Sequence, residues 1–258
     1  MSELDESKAP LLDHLIELRR RLLWCVAALA LAFAVCLYFA RPIFAFLAQP
    51  LLRTEKGLVY TNIFEAFFVD VKVAFFAALM VAFPVIGNQL WRFVAPGLYA
   101  KERKAFLPFL LLTPVLFLCG GALAYYVAVP TALRFLLSYQ GDVGGVQVTA
   151  MPAIGNYLDF VTRFIFGFGV AFLLPVLLML LERAGIVTRA QLKRGRRYAI
   201  VAAFAAAAVL TPPDIVSQLL LAVPLCGLYE LSLIAIWFTE RRRAKEAQLP
   251  APTDTTSA

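Results

Sequence analysis

The chain is 258 residues long and 62% hydrophobic, with a mean hydropathy of +0.79 and a formal net charge of +7 from 24 basic and 17 acidic residues. A soluble globular domain is nearer half apolar, so this composition excludes an ordinary water-soluble fold and points to an integral membrane protein. Nor does the positive balance point to nucleic acid, because the basic residues fall in clusters between apolar runs, where such clusters set membrane orientation.

The first apolar run, Leu22–Ala40, follows directly on Glu17 and the block Arg19, Arg20, Arg21. A basic front with A-x-A triplets suggests a secretory signal peptide. However, triplets such as Ala28-Leu29-Ala30 lie too early in the run and many further spans follow, so it reads as an uncleaved first transmembrane helix. About 20 apolar residues are needed to cross roughly 30 Å of hydrocarbon, and five more candidates follow. The second is Val69–Trp91, interrupted early by Asp70 and Lys72, and the third lies within the uncharged stretch 105–133. The fourth is Phe160–Leu181 with Arg163 one turn inside, the fifth Tyr198–Leu210 and the sixth Ile215–Phe238.

Only Thr211-Pro212-Pro213-Asp214 joins the last two, which makes them a tight helical hairpin. Thirteen residues in the fifth span reach about 20 Å at the helical rise, short of the hydrocarbon thickness. Either the bilayer thins there or the polar tip, with Asp214 and Gln218, sits below the interface. In the outer segments, "AQPLLR" places Pro50 in the first loop, and residues 128–157 form a second loop with an amphipathic turn over Thr131–Tyr139. The expected architecture is all-α and polytopic: six transmembrane helices in one domain over residues 1–240. A basic and then disordered cytoplasmic tail follows over 241–258.

Eighteen lysines and arginines lie on one side of these spans, within residues 8–21, 92–104, 183–197 and 241–245. Four lie on the other: Arg41, Arg53, Lys56 and Arg134. This asymmetry places both termini in the cytoplasm. Acidic residues among the arginines need a separate explanation. Glu17 precedes Arg21 by four residues, a helix ion-pair spacing, and Glu102 is flanked by Lys101 and Arg103. Each carboxylate either pairs with its neighbours or waits, partly desolvated, for an external guanidinium, which binds carboxylate bidentately. Among the deeper charges, Asp159 and Arg163 are spaced to neutralise each other, Asp70 and Lys72 to do so through a third group, and Glu230 to partner a loop arginine. Asp214, beside two prolines at the hairpin tip, is the strongest functional candidate of this set.

The four cysteines, Cys25, Cys36, Cys119 and Cys226, sit in apolar segments without CxxC spacing and read as small buried hydrophobes. With His14 the only histidine, no His-based metal site is available. Neither GxSxG, HExxH nor a Walker loop is present, so enzymatic activity and a cofactor are not expected. A secondary transporter using Asp70, Lys72, Arg163 and Asp214 as a coupling path is an alternative, opposed by the lack of an internal repeat.

Several stretches, in order over roughly residues 10–240, resemble TatC, the multi-spanning receptor of the twin-arginine protein translocase. They include "HLIELRRRL" (14–22), "QLWRFVAPGLYAKERK" (89–104), "GALAYYVAVP" (121–130), "YLDFV" (157–161) and "LTPPDIVSQLLLAVPL" (210–225). The resemblance implies export of folded proteins across the bacterial inner membrane, driven by the proton-motive force. It places Glu17, Arg19, Phe93 and Glu102 at the site for twin-arginine signal peptides, with Glu102 the direct partner of the arginine pair. Pro50 and Tyr125 match positions tied to outer-loop structure and function. Asp214 and Gln218 match the hairpin where the single-span TatA- and TatB-type subunits dock. Membrane lipid, self-association in the receptor complex and no nucleic acid are the remaining implied partnerships. One departure stands out: many family members carry Glu or Gln ahead of the proline in the fourth span, whereas this chain has Leu173 in "AFLLPV".

Overall fold

The structure, a computed structural model, describes residues 3–54, 57–98, 103–211 and 213–247. Long apolar runs become helices because backbone groups in hydrocarbon must be satisfied within the segment. Helix α1 (Glu3–Tyr38) is followed by a short helix α2 (Ala40–Leu52) and the long α3 (Glu65–Leu98). Helix α4 (Arg103–Leu123) continues through a π-helical turn (Ala124–Ala128) into α5 (Val129–Leu137). A hairpin of β1 (Gly141–Val143) and β2 (Val146–Val148) leads to α6 (Ile154–Ala171), α7 (Leu174–Arg183) and α8 (Arg189–Arg194). Helices α9 (Arg196–Leu210) and α10 (Ile215–Ala247) complete the fold.

Five helical stretches among the described residues are long and apolar enough to cross a membrane: Leu15–Tyr38, Glu65–Phe93, Leu112–Leu137, Ile154–Arg183 and Ile215–Arg241. The segment expected as the fifth span forms helix α9, whose 15 residues reach only about 22 Å and which is not one of these five. Other expectations need correction. The first outer loop is helix α2, and the amphipathic turn in the second is the full helix α5. The β-hairpin departs from an all-α fold; its two-residue loop, Gly144 and Gly145, has φ of +63° and +89°, as a type I′ turn requires. The fourth span is broken between α6 and α7, because Pro175 removes a helical donor one turn after Ala171. The last 10 residues, 249–258, expected to be a disordered end, lie outside the described residues.

Lipid is as apolar as leucine, so helices here associate through close packing of small residues rather than through hydrophobic exclusion. Helix α1 lies along α3 at a seam of Cys36, Ala74 and Ala78, extended by Ala40 at the start of α2. Helix α4 lies against α6 through Gly120 and Gly169. A Cβ on Gly120 would come within 2.5 Å of the Phe168 carbonyl oxygen, and one on Gly169 within 2.6 Å of the Phe117 ring. The largest buried cluster gathers Leu47, Leu51, Val73, Val129, Phe164 and Phe168 from α2, α3, α5 and α6. It forms where α2 and α5 roof the bundle.

Gly120→Ala is expected to destabilise the protein by about 1–3 kcal/mol through overpacking against backbone that has no room to move. Gly227→Ala, where a Cβ meets nothing within 4 Å, is expected to change the unfolding temperature in mild detergent far less; thermal unfolding followed by circular dichroism compares the two.

Candidate functional site

Three groups of residues occupy three places in this framework. The first is at the α1 end of the bundle. Glu17 and Arg21 face each other one turn apart, the guanidinium Nε donating to Glu17 Oε1 at 2.9 Å and Nη2 to the same oxygen. The Glu17 carboxylate is therefore engaged locally, as its spacing suggested. Arg19 is exposed and Phe93 half-buried. Phe33 of α1 packs edge-on against Phe75 of α3. Both helices rise 1.5 Å per residue in opposite directions, so Glu17, sixteen residues before Phe33, comes level with Trp91, sixteen after Phe75. Glu17, Arg19 and Phe93 thus share one end of the α1–α3 pair. Glu102 lies outside the described residues.

The second group is the roof at the other end of that pair. Pro50 lies inside α2 and has no N–H to offer the carbonyl of Phe46, one turn earlier. The Tyr125 hydroxyl donates to that carbonyl at 2.5 Å, and its ring stacks on the Phe46 ring at 4.5 Å between centroids and 15° between planes. Tyr125 stands in the π-helical turn, where Val129 N–H reaches back to Ala124. The extra residue per turn rotates the side chains that follow relative to those of α4. A second phenol, Tyr157 of α6, donates to the Leu47 carbonyl at 2.8 Å. The structure therefore joins Pro50 and Tyr125 through one backbone oxygen.

Two further residues hold this roof that sequence reasoning missed. Glu65 Oε1 accepts the Gly155 N–H at the start of α6 at 2.7 Å, while Oε2 accepts the Thr61 N–H at 2.6 Å and its hydroxyl at 2.8 Å. The adjacent segments also pair directly, Val59 N–H to the Pro152 oxygen at 3.2 Å and Ile154 N–H to the Val59 oxygen at 3.1 Å. Asn62, three residues before Glu65, makes an N-cap signature that could have drawn attention to this carboxylate. Tyr157 carries no local signal, because its partner is 110 residues away.

The third group is the α9–α10 hairpin. Asp214 caps α10, its Oδ1 accepting the Ser217 N–H at 2.7 Å. Gln218 Nε2 donates to the Phe204 carbonyl of α9 at 3.3 Å. Both residues therefore set the geometry of the hairpin, and the second Asp214 oxygen is buried with no partner among the described residues. The spacing-based pairing of Asp159 with Arg163 is replaced by one across helices: Lys72 Nζ of α3 meets Asp159 Oδ1 at 3.0 Å and Oδ2 at 3.2 Å. The expected link between Asp70 and Lys72 through a third group is not among the ion pairs of the described residues, where Lys72 meets Asp159, and Glu230 pairs at 2.7 Å with Arg196, the first residue of α9.

Because Phe46 O has one donor to gain from either residue, Pro50→Ala and Tyr125→Phe are expected to be non-additive. Tyr125→Phe alone leaves the half-buried Phe46 carbonyl without its donor, at a cost of about 1 kcal/mol. In the Pro50→Ala background a restored N–H at position 50 compensates, and the cost falls by more than half. A double-mutant cycle of unfolding free energies in detergent reads the coupling; strict additivity would separate the two residues.

Comparison with known proteins identifies the family. Residues 13–224 match the family model described as Sec-independent protein translocase protein (TatC). The chain is 48% identical over 244 residues to the Sec-independent protein translocase protein TatC of Magnetococcus marinus, covering 93% of this chain and 89% of that one. To the TatC of Haemophilus influenzae it is 40% identical, with 96% of each chain covered. The fold is similar to the crystal structure of the twin-arginine translocase receptor TatC in DDM, at a TM-score of 0.78 and 37% identity over 86% of this chain and 98% of that one. The chain belongs to the TatC family of Sec-independent protein translocase proteins.

Proposed function

We propose that this chain is the receptor core subunit of a twin-arginine translocase in a bacterial inner membrane. It recognises the twin-arginine signal peptides of folded proteins and recruits partner subunits for export driven by the proton-motive force. The observation that carries this reading is the family match over residues 13–224, together with a fold shared over 86% of the chain with the crystallised receptor. In this reading the chain crosses the membrane six times within residues 1–240, with α9 as a short fifth crossing. Both termini are cytoplasmic and 241–258 form the tail. The eighteen-to-four asymmetry of basic residues supports that orientation, which puts α2, α5 and the hairpin outside and α8 inside.

Recognition then takes place at the cytoplasmic end of α1 and α3, with Glu17, Arg19, Phe93 and Glu102 as its residues. Glu102 is the direct partner of the arginine pair. Glu17 has a guanidinium on it already, which gives it a defined role. An incoming arginine reaches Glu17 only by displacing Arg21, whose half-buried i,i+4 pair it has to replace. Single-span TatA- and TatB-type subunits dock at the α9–α10 hairpin beside Asp214 and Gln218, and copies of the receptor associate with one another. Leu173 at the α6–α7 break puts an apolar side chain where many relatives have a polar one, so partner contacts there are apolar in this chain.

Equilibrium binding of a labelled arginine-arginine signal peptide and its lysine-lysine twin to the purified protein tests the receptor reading. Tenfold or greater preference for arginine, removed by Glu102→Gln, is the expected result, corresponding to about one decade per 1.4 kcal/mol. Arg21→Gln is expected to strengthen binding about twofold by freeing Glu17. Equal binding of both peptides would move recognition to a partner subunit.

A further inference from the structure

One cavity of the bundle lies directly beneath the second group, whose Phe46 and Tyr125 help to line it. It is an apolar groove of about 390 Å³ under α2, between α1 and α4, with Ile43 and Phe46 above it and Phe76, Met80, Val81 and Ala122 along its sides. Met80 and Val81 lie near the middle of the span Glu65–Phe93, while Cys36, also on its wall, lies close to the end of the span Leu15–Tyr38. The groove therefore runs from the middle of the bilayer up to the level of α2, along one leaflet. Its lateral walls are accessible from outside the protein: Val81 is 65% and Tyr126 64% exposed. The one phenol pointing into the roof, Tyr125, is already bonded to the Phe46 oxygen. Apart from the Tyr126 hydroxyl and the Cys36 thiol the walls are apolar, so an occupant has to be apolar over most of its length.

The rim carries the opposite chemistry. Arg53 closes the C-terminal end of α2, is exposed, and stands within Coulombic reach of the Tyr125 phenol that roofs the groove. None of the ion pairs among the described residues involves it. A cation at the interface above an apolar slot at acyl-chain depth is complementary to an amphiphile with an anionic head. We propose that the groove is a phospholipid site, in which one acyl chain lies along Phe76, Met80 and Val81 and the lipid phosphate meets the Arg53 guanidinium. The bilayer supplies this ligand at the right depth and orientation, which it does not do for a peptide that carries no phosphate. The lipid then fills the space beneath the α2 roof and supports the Phe46–Tyr125 contact from below. This inference rests on membrane insertion alone and not on which cargo the protein recognises.

Native mass spectrometry of the full-length protein in mild detergent, with palmitoyl-oleoyl phosphatidylglycerol added and then stripped stepwise, tests the site. The wild type is expected to retain one phospholipid after the others have dissociated. Val81→Trp and Ala122→Phe fill the groove from positions that are themselves exposed. Each is expected to weaken retention at least about tenfold, because methylenes that no longer fit lose their burial. Arg53→Gln is expected to weaken it about fivefold. Val26→Trp, on the exposed face of α1, leaves retention unchanged, and circular dichroism confirms that each variant is folded. Equal retention by wild type and the groove-filling variants overturns the proposal, and an unaffected Arg53→Gln overturns the phosphate contact. A dimer that dissociates in Val81→Trp while lipid retention stays constant would assign the groove to a second copy instead.

Discussion

The arrangement of the roof depends on a single backbone carbonyl. A peptide oxygen that loses its helical donor needs another, and Pro50 withdraws the one that helix α2 would have provided to Phe46. Tyr125 supplies it from a different helix. Because the phenol has to reach that oxygen, α4 and α2 are held at one distance and one rotation, and the π-helical turn fixes the angle from which Tyr125 approaches. Tyr157 adds a second such bond from α6 to the next residue of α2. Two phenols and one missing N–H thus bind three helices where apolar surface alone would have let them slide.

Around that point the protein is held mainly by shape. The α1–α3 seam and the α4–α6 contact both use residues with little or no side chain, which brings backbones close enough for dispersion to matter. Polar links are reserved for the ends. Glu65 ties the segment before α3 to the start of α6, Lys72 to Asp159 joins the same two helices further along, and Arg196 to Glu230 closes the opposite end of the α9–α10 hairpin. The middle of the bundle is consequently apolar and tightly packed, except for the groove under α2. The recognition residues proposed at the α1 end lie at the far end of the same helices that carry this roof.

At the α9–α10 hairpin, the residues proposed for partner docking also have a structural task. Asp214 caps α10 and Gln218 bridges to α9. Any partner that meets these side chains meets a hairpin whose tip geometry they already maintain. The second oxygen of Asp214 is enclosed within the hairpin without a partner among the described residues.

The sequence by itself determined what depends on local pattern and on the solvent. Hydrocarbon demands long apolar helices, so the five long apolar stretches and the short helix α9 were legible, as were the ordered motifs that the TatC family shares. The i,i+4 spacing of Glu17 and Arg21 also gave its answer, because both residues ride on one helix. The same spacing misled at Asp159 and Arg163, since it states which neighbour is within reach and not which cation another helix brings nearer. Pro50 could be located in an outer segment, but not read as the residue that frees a carbonyl for Tyr125, 79 residues away from Phe46. Glu65, Tyr157, the break before Pro175 and the groove beneath α2 were likewise decided by which helices come together. Only the tertiary structure could decide them, because a hydrogen bond or a cavity between helices is a property of two segments at once, and no local pattern in either one records it.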